Sequence, residues 1–136
     1  MKVWVIMGSE SDSEMMSAAE EVLKKNSVPY ETFIHSAHRE PDKIRDLVAQ
    51  AKKEDVVAVI AGAGLAAHLP GFIASMTDIP VLGVPIPAST LGGLDSLLSI
   101  VQMPSGVPVA TFGIGKPGAK NAAIFASRLY KKLKEK

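Results

Sequence analysis

Three short stretches, far apart in the chain, hold most of the residue types able to do chemistry. Gly8-Ser9-Glu10-Ser11-Asp12 offers hydroxyls and carboxylates, and Ser36-Ala37-His38-Arg39 sets an imidazole beside a guanidinium. Ala61 to Gly71, reading Ala-Gly-Ala-Gly-Leu-Ala-Ala-His-Leu-Pro-Gly, places one polar side chain, His68, among small apolar residues. Imidazole ordinarily titrates at about 6.5, which makes His38 a candidate proton carrier at neutral pH. Arg39 beside it carries the planar fork that clamps a phosphate.

The first stretch suits a phosphorylated sugar. Gly8 serves the turn, Ser9 or Ser11 and the free amides of a helix N-terminus can meet phosphate, and Asp12 pairs with ribose hydroxyls because a carboxylate repels phosphate. The same residues also read as plain helix caps, with Ser11 and Glu14 at capping-box spacing. Ala63, Gly64 and Leu69 lie in the small-residue tract, where a ligand or another backbone can come close. His68 either hydrogen-bonds a ligand or satisfies buried backbone, and His35 reads as the residue closing a strand. With no cysteine and no third ligand beside the histidines, no metal site is expected.

These stretches need a frame. Apolar runs at Lys2–Met7, Tyr30–His35, Val56–Ile60, Pro80–Val84 and Val107–Phe112 predict five strands, each followed by a helical pattern. The helices are expected from near Asp12 to Lys25, from Pro41 past Ala51, around His68 to Met76, from Leu94 to Val101, and from Ala119 to about Lys134. Repeated β-then-α units imply an α/β, three-layer, doubly wound parallel sheet with right-handed crossovers. A flavodoxin-like strand order 2-1-3-4-5 is expected, which puts the chemistry-bearing loops on one edge. The long fourth loop, Pro85 to Gly93, adds Ser89 and Thr90 to that edge, whereas the opposite connections are ordinary polar turns.

The bulk numbers narrow the class. At 136 residues, 47% hydrophobic and without a linker or charge block, the chain is expected to be one domain over residues 1–136. A net charge of +1 favours neither nucleic acid nor a membrane surface as a partner. The chain enters a strand at once and shows neither a signal-peptide pattern nor a membrane-length apolar run, so a cytoplasmic location is expected.

The three stretches, in this order, together with Leu94-Asp95-Ser96-Leu97-Leu98-Ser99-Ile100-Val101-Gln102-Met103-Pro104, resemble the N5-carboxyaminoimidazole ribonucleotide mutase family of purine biosynthesis. The likeness runs from about Val5 to Asn121. It implies transfer of a carboxylate from the exocyclic nitrogen to ring carbon C4 of an aminoimidazole ribonucleotide, without metal or organic cofactor. By motif position it implies His38 as general acid and base, and Ser9, Ser11, Ser36 and Arg39 around the phosphate. Asp12 would hold the ribose, Gly64 and its neighbours would line a carbon dioxide pocket, and His68 would support. The family forms homo-octamers. The Ala-rich last helix (Ala119, Ala122, Ala123, Ala126) could pack on a partner.

Two positions depart from the family pattern. Leu65 stands where a second glycine is usual, and the chain stops at Lys136 where many relatives continue into a helical tail. The related carboxylase branch, which joins free carbon dioxide to aminoimidazole ribonucleotide, is the alternative; it carries Arg-Ser-Asn near the place of Gly64-Leu65-Ala66. A phosphoacceptor receiver would need an aspartate where Ala61-Gly62 stands. A flavin carrier would need a first loop free of acids and aromatics to stack the ring.

Overall fold

The computed structural model describes all 136 residues. Five parallel strands form one sheet in the order β2-β1-β3-β4-β5, as the alternating pattern predicts. They are β1 (Lys2–Met7), β2 (Tyr30–Ile34), β3 (Val56–Gly64), β4 (Val81–Ile86) and β5 (Ala110–Thr111). The helices are α1 (Ser13–Lys25), α2 (Pro41–Lys53), α3 (Leu69–Ala74), α4 (Leu94–Val101) and α5 (Gly115–Lys134). None is long and apolar enough to cross a membrane.

Strand alternation explains the three layers. Val3, Val5 and Met7 of β1 face one side with Ala58 and Ile60 of β3, where α1 and α5 pack over them. Trp4 and Ile6 face the other side with Val59, Ala61 and Ala63, under α2, α3 and Ile100 of α4. Both faces are therefore apolar, as a sheet covered by helices on each side requires. A register shift between Lys2 and Val3, which pair with Val56 and Ala58, leaves Val57 as an extra residue at the entrance of β3.

Several boundaries differ from the sequence reading. The tract Ala61-Gly62-Ala63-Gly64 is strand, paired with β1 as far as Gly62 and with β4 as far as Gly64. Its small residues answer crowding by neighbours: a Cβ on Gly62 would sit 2.4 Å from Met16 Sδ, so glycine lets α1 close over β3. β4 runs on through Pro85, beyond Leu82 and Gly83 where β5 pairs. β5 keeps only two of six expected residues, and β2 stops at Ile34, although His35 N–H still donates to Met7 O at 3.0 Å.

α3 is a short helix with His68 at its N-cap, and Met76 lies beyond it. α5 starts at Gly115, four residues earlier than expected. Its Gly118 packs on the preceding turn, where a Cβ would meet Gly113 O at 1.8 Å. The four alanines of α5 are fully buried against this chain's own α1 and sheet, so that stripe is core rather than an interface.

Candidate active site

The C-terminal ends of β1, β2, β3 and β4 share one edge, and the loops leaving them surround a cavity of about 620 Å³. Strand order reverses between β1 and β3, so their two loops diverge and leave a crevice. Eleven of the residues singled out from the sequence line this one cavity. They are Gly8, Ser9, Ser11 and Asp12 after β1; Ser36, His38 and Arg39 after β2; and Ala63, Gly64, His68 and Leu69 at the end of β3 and just beyond.

After β1 the chain makes a 3-10 turn, Glu10–Asp12, before α1. The capping box there joins Ser9 and Asp12 rather than Ser11 and Glu14: Ser9 N–H donates to Asp12 Oδ2 at 3.1 Å. Ser11 N–H donates to Ser9 Oγ at 3.3 Å, and the two hydroxyls lie 2.9 Å apart. Asp12 is buried, and this burial pushes its carboxyl above the ordinary range, partly offset by the Ser9 and Gly8 amides. Gly8 is not in a left-handed conformation, so the turn itself does not demand glycine. A Cβ there would reach only Asp12 Oδ2, at 3.8 Å. What glycine contributes is open space beside that carboxylate.

The second loop closes on itself. Glu40 N–H donates to Ser36 O at 2.8 Å and Arg39 N–H to Ser36 Oγ at 3.2 Å, which leaves the side chains of His38 and Arg39 exposed. The Arg39 guanidinium forms no ion pair, whereas the next residue, Glu40, is held by Lys43 Nζ at 2.8 Å. That bond, with help from His35, keeps the Glu40 carboxyl below its usual range.

The third segment supplies a wall. A Cβ on Gly64 would lie 2.8 Å from Ala88 Cβ and 3.2 Å from Ile86 O, so β4 and its loop press directly against it. Leu65 follows with φ +57° and 56% of its surface exposed. That backbone is left-handed, a region that suits glycine and costs leucine about 1–2 kcal/mol. His68 is exposed and its ring lies parallel to that of His38, centroids 5.2 Å apart and planes 5° apart, so it does not serve buried backbone.

Glu10, Ala37, Glu40, Leu65, Ala66 and Ala88 also line the cavity and were not among the sequence candidates. Ala88 is the fourth loop's contribution. Ser89, expected there for its hydroxyl, instead accepts from Leu91 N–H at 3.0 Å in a local turn. Ala88 carries no functional group, so only its tight approach to Gly64 marks it. No three potential metal-ligating side chains cluster anywhere in the chain.

Comparison with known proteins agrees with the fold. The profile of the AIR carboxylase family matches residues 2–136. A substituted Treponema denticola PurE2 superposes with TM-score 0.85 at 26% identity, covering 97% of this chain and 82% of that one. The chain thus belongs to the AIR carboxylase family of flavodoxin-like α/β proteins. Within that family it is similar to proteins named N5-carboxyaminoimidazole ribonucleotide mutase. The one from Saccharolobus solfataricus is 55% identical over 99% of this chain and 87% of its own length. The one from Aliivibrio fischeri is 54% identical over 95% and 80%.

Proposed function

We propose that this chain is a mutase that converts N5-carboxyaminoimidazole ribonucleotide to 4-carboxy-5-aminoimidazole ribonucleotide in purine biosynthesis. The observation that carries the reading is the convergence of a free guanidinium, two neighbouring serines, a buried carboxylate, an exposed imidazole and a bare glycine–alanine wall on one cavity. Arg39 with Ser9, Ser11 and Ser36 holds the phosphate, and Asp12 the ribose hydroxyls. Ala63, Gly64 and Leu69 form the apolar end, beside which the imidazole ring reacts.

His38 is the catalytic acid and base. The bond from the exocyclic nitrogen to the carboxylate carbon breaks, carbon dioxide is released in place, and the nitrogen takes a proton from His38. Ring carbon C4 then attacks carbon dioxide, and the proton that C4 loses returns to His38, so the cycle closes with no net proton change. One group serves both steps, as microscopic reversibility allows. Carbon dioxide offers no charge to grip, so close walls must keep it near C4. No metal or organic cofactor enters this scheme.

Self-association is part of the same reading. Leu94, Leu98 and Val101 form an exposed apolar stripe along α4, extended by the exposed Leu91 in the loop that brings Ala88 to the cavity. Apolar exposure of that extent on one helix suggests an interface between copies, with an octamer expected, in the cytoplasm. The 136 residues act as one domain, supported by their single continuous sheet.

Supplying either N5-carboxyaminoimidazole ribonucleotide or aminoimidazole ribonucleotide with bicarbonate tests the reaction. Strongly preferential turnover of the first is expected. Turnover of the second in preference would replace the mutase with a carboxylase.

A further inference from the structure

His38 and His68 stand in the cavity without a hydrogen bond to either imidazole from the protein, although their loops are tightly bonded. What orients them is stacking, and the stack does not end at His68. Phe72 lies one helical turn further along α3, where residues four apart share a face. Its ring stacks with that of His68, centroids 5.4 Å apart and planes 25° apart. Arg45 of α2 then caps Phe72, its Cζ 5.4 Å from the ring centroid. Asp42 fixes that guanidinium through a 2.7 Å bond from Arg45 Nη1.

The column runs His38, His68, Phe72, Arg45, and it closes a circuit. α2, which carries Arg45, begins at Pro41, three residues after His38. Both ends of the column are thus anchored in one stretch of chain, and α3 is inserted between them. A group that must give and later receive a proton needs its ring plane held while its nitrogens stay unengaged. A hydrogen bond from the protein would occupy one of those nitrogens. Stacking fixes the plane and leaves the ring edge free, and aromatic faces are well suited to that task.

We propose that Phe72, backed by Arg45, is a positioning residue for His38 and acts through His68. The inference rests on His38 being the proton carrier and deepens that reading. Neither Phe72 nor Arg45 lines the cavity, so neither need touch the substrate.

The test compares Phe72→Leu, which keeps apolar bulk but loses the aromatic face, with Phe72→Tyr, which keeps the face. Leucine should lower kcat about tenfold with KM changed by less than about twofold, and tyrosine should restore kcat to within about twofold. With only three histidines in the chain, histidine-selective NMR adds a direct readout. In the leucine protein the ring signals of His68 and His38 should move while those of His35 stay. Unchanged kcat, equal losses with leucine and tyrosine, or His38 signals that stay fixed would overturn the proposal. If the leucine protein does not fold, Arg45→Gln at the exposed end decides: movement of the His68 ring signals supports the column, and fixed signals overturn it. His38→Asn separates the two levels, because retained turnover there would refute the role of His38, while the ring signals still report on the column.

Discussion

The two ends of the sheet carry cavities of similar size and opposite character. At the amino-terminal end, about 710 Å³ is lined by Met76, Ile79, Val107, Phe125 and Leu129 among others, with Lys52 and Asp78 as its titratable groups. At the carboxyl-terminal end, about 620 Å³ holds two histidines, a free arginine and a buried aspartate. Volume therefore does not locate the chemistry. The difference comes from what each edge must do. At the carboxyl edge, strands run into helix N-termini whose unsatisfied amides and small residues can receive an anion. At the other edge, helices end and the chain only has to turn into the next strand.

That contrast can be broken at the reactive end. The largest of the effects expected from wall and binding changes is at Gly64. Gly64→Ala sets a Cβ 2.8 Å from Ala88 Cβ and forces the wall to shift, so kcat/KM should fall about 100-fold in a steady-state assay. Gly8→Ala, where a Cβ has room, should cost far less. Arg39→Ala should raise KM roughly 10- to 100-fold by removing a charge-assisted contact to phosphate, with a smaller change in kcat. At the other end, Met76→Leu should leave both constants as they are.

A smaller effect separates function from stability at Asp12. Its carboxyl is raised in the fold by burial, so the folded chain holds that proton to higher pH than the unfolded chain does. The contribution of Asp12 to stability therefore falls as pH climbs from its ordinary value of 3.8 through the raised one. Asp12→Asn should melt higher relative to the native chain at pH 7 than at pH 4, while binding the ribonucleotide more weakly. Melting curves at the two pH values check it; a relative gain at pH 4 instead would contradict the sign. The smallest effect is at Leu65. Leu65→Gly should stabilise the fold by about 0.5–1 kcal/mol, since relief of the left-handed backbone exceeds the added chain entropy, and denaturant unfolding would measure it.

Much of this architecture was legible because each strand is a short apolar run and each helix keeps its spacing. Strand order and a sheet covered on both faces followed from that alternation. What escaped the sequence was set by neighbours. The Gly-Ala tract reads as a loop until Met16 is seen packing on Gly62, and the last helix is expected only from Ala119 until Gly118 is seen packed against Gly113 O. β5 looked like six residues, but only Ala110 and Thr111 find partners on β4. At the site, residues with functional groups could be read from the chain, whereas Ala88 could not, because its part is shape alone. Leu65 stood out as leucine in place of a usual glycine, and its positive φ supplies the physical reason glycine fits there.

The central claim is that His38 carries the proton while its neighbours hold the nucleotide. It is tested most directly by His38→Asn, with turnover and equilibrium binding of N5-carboxyaminoimidazole ribonucleotide measured on the same preparation. Turnover should drop roughly 100- to 10,000-fold, the range general acid–base catalysis supplies, with Kd within about threefold of the native value. Native-like turnover by the asparagine protein, or loss of binding in step with loss of turnover, would contradict the account.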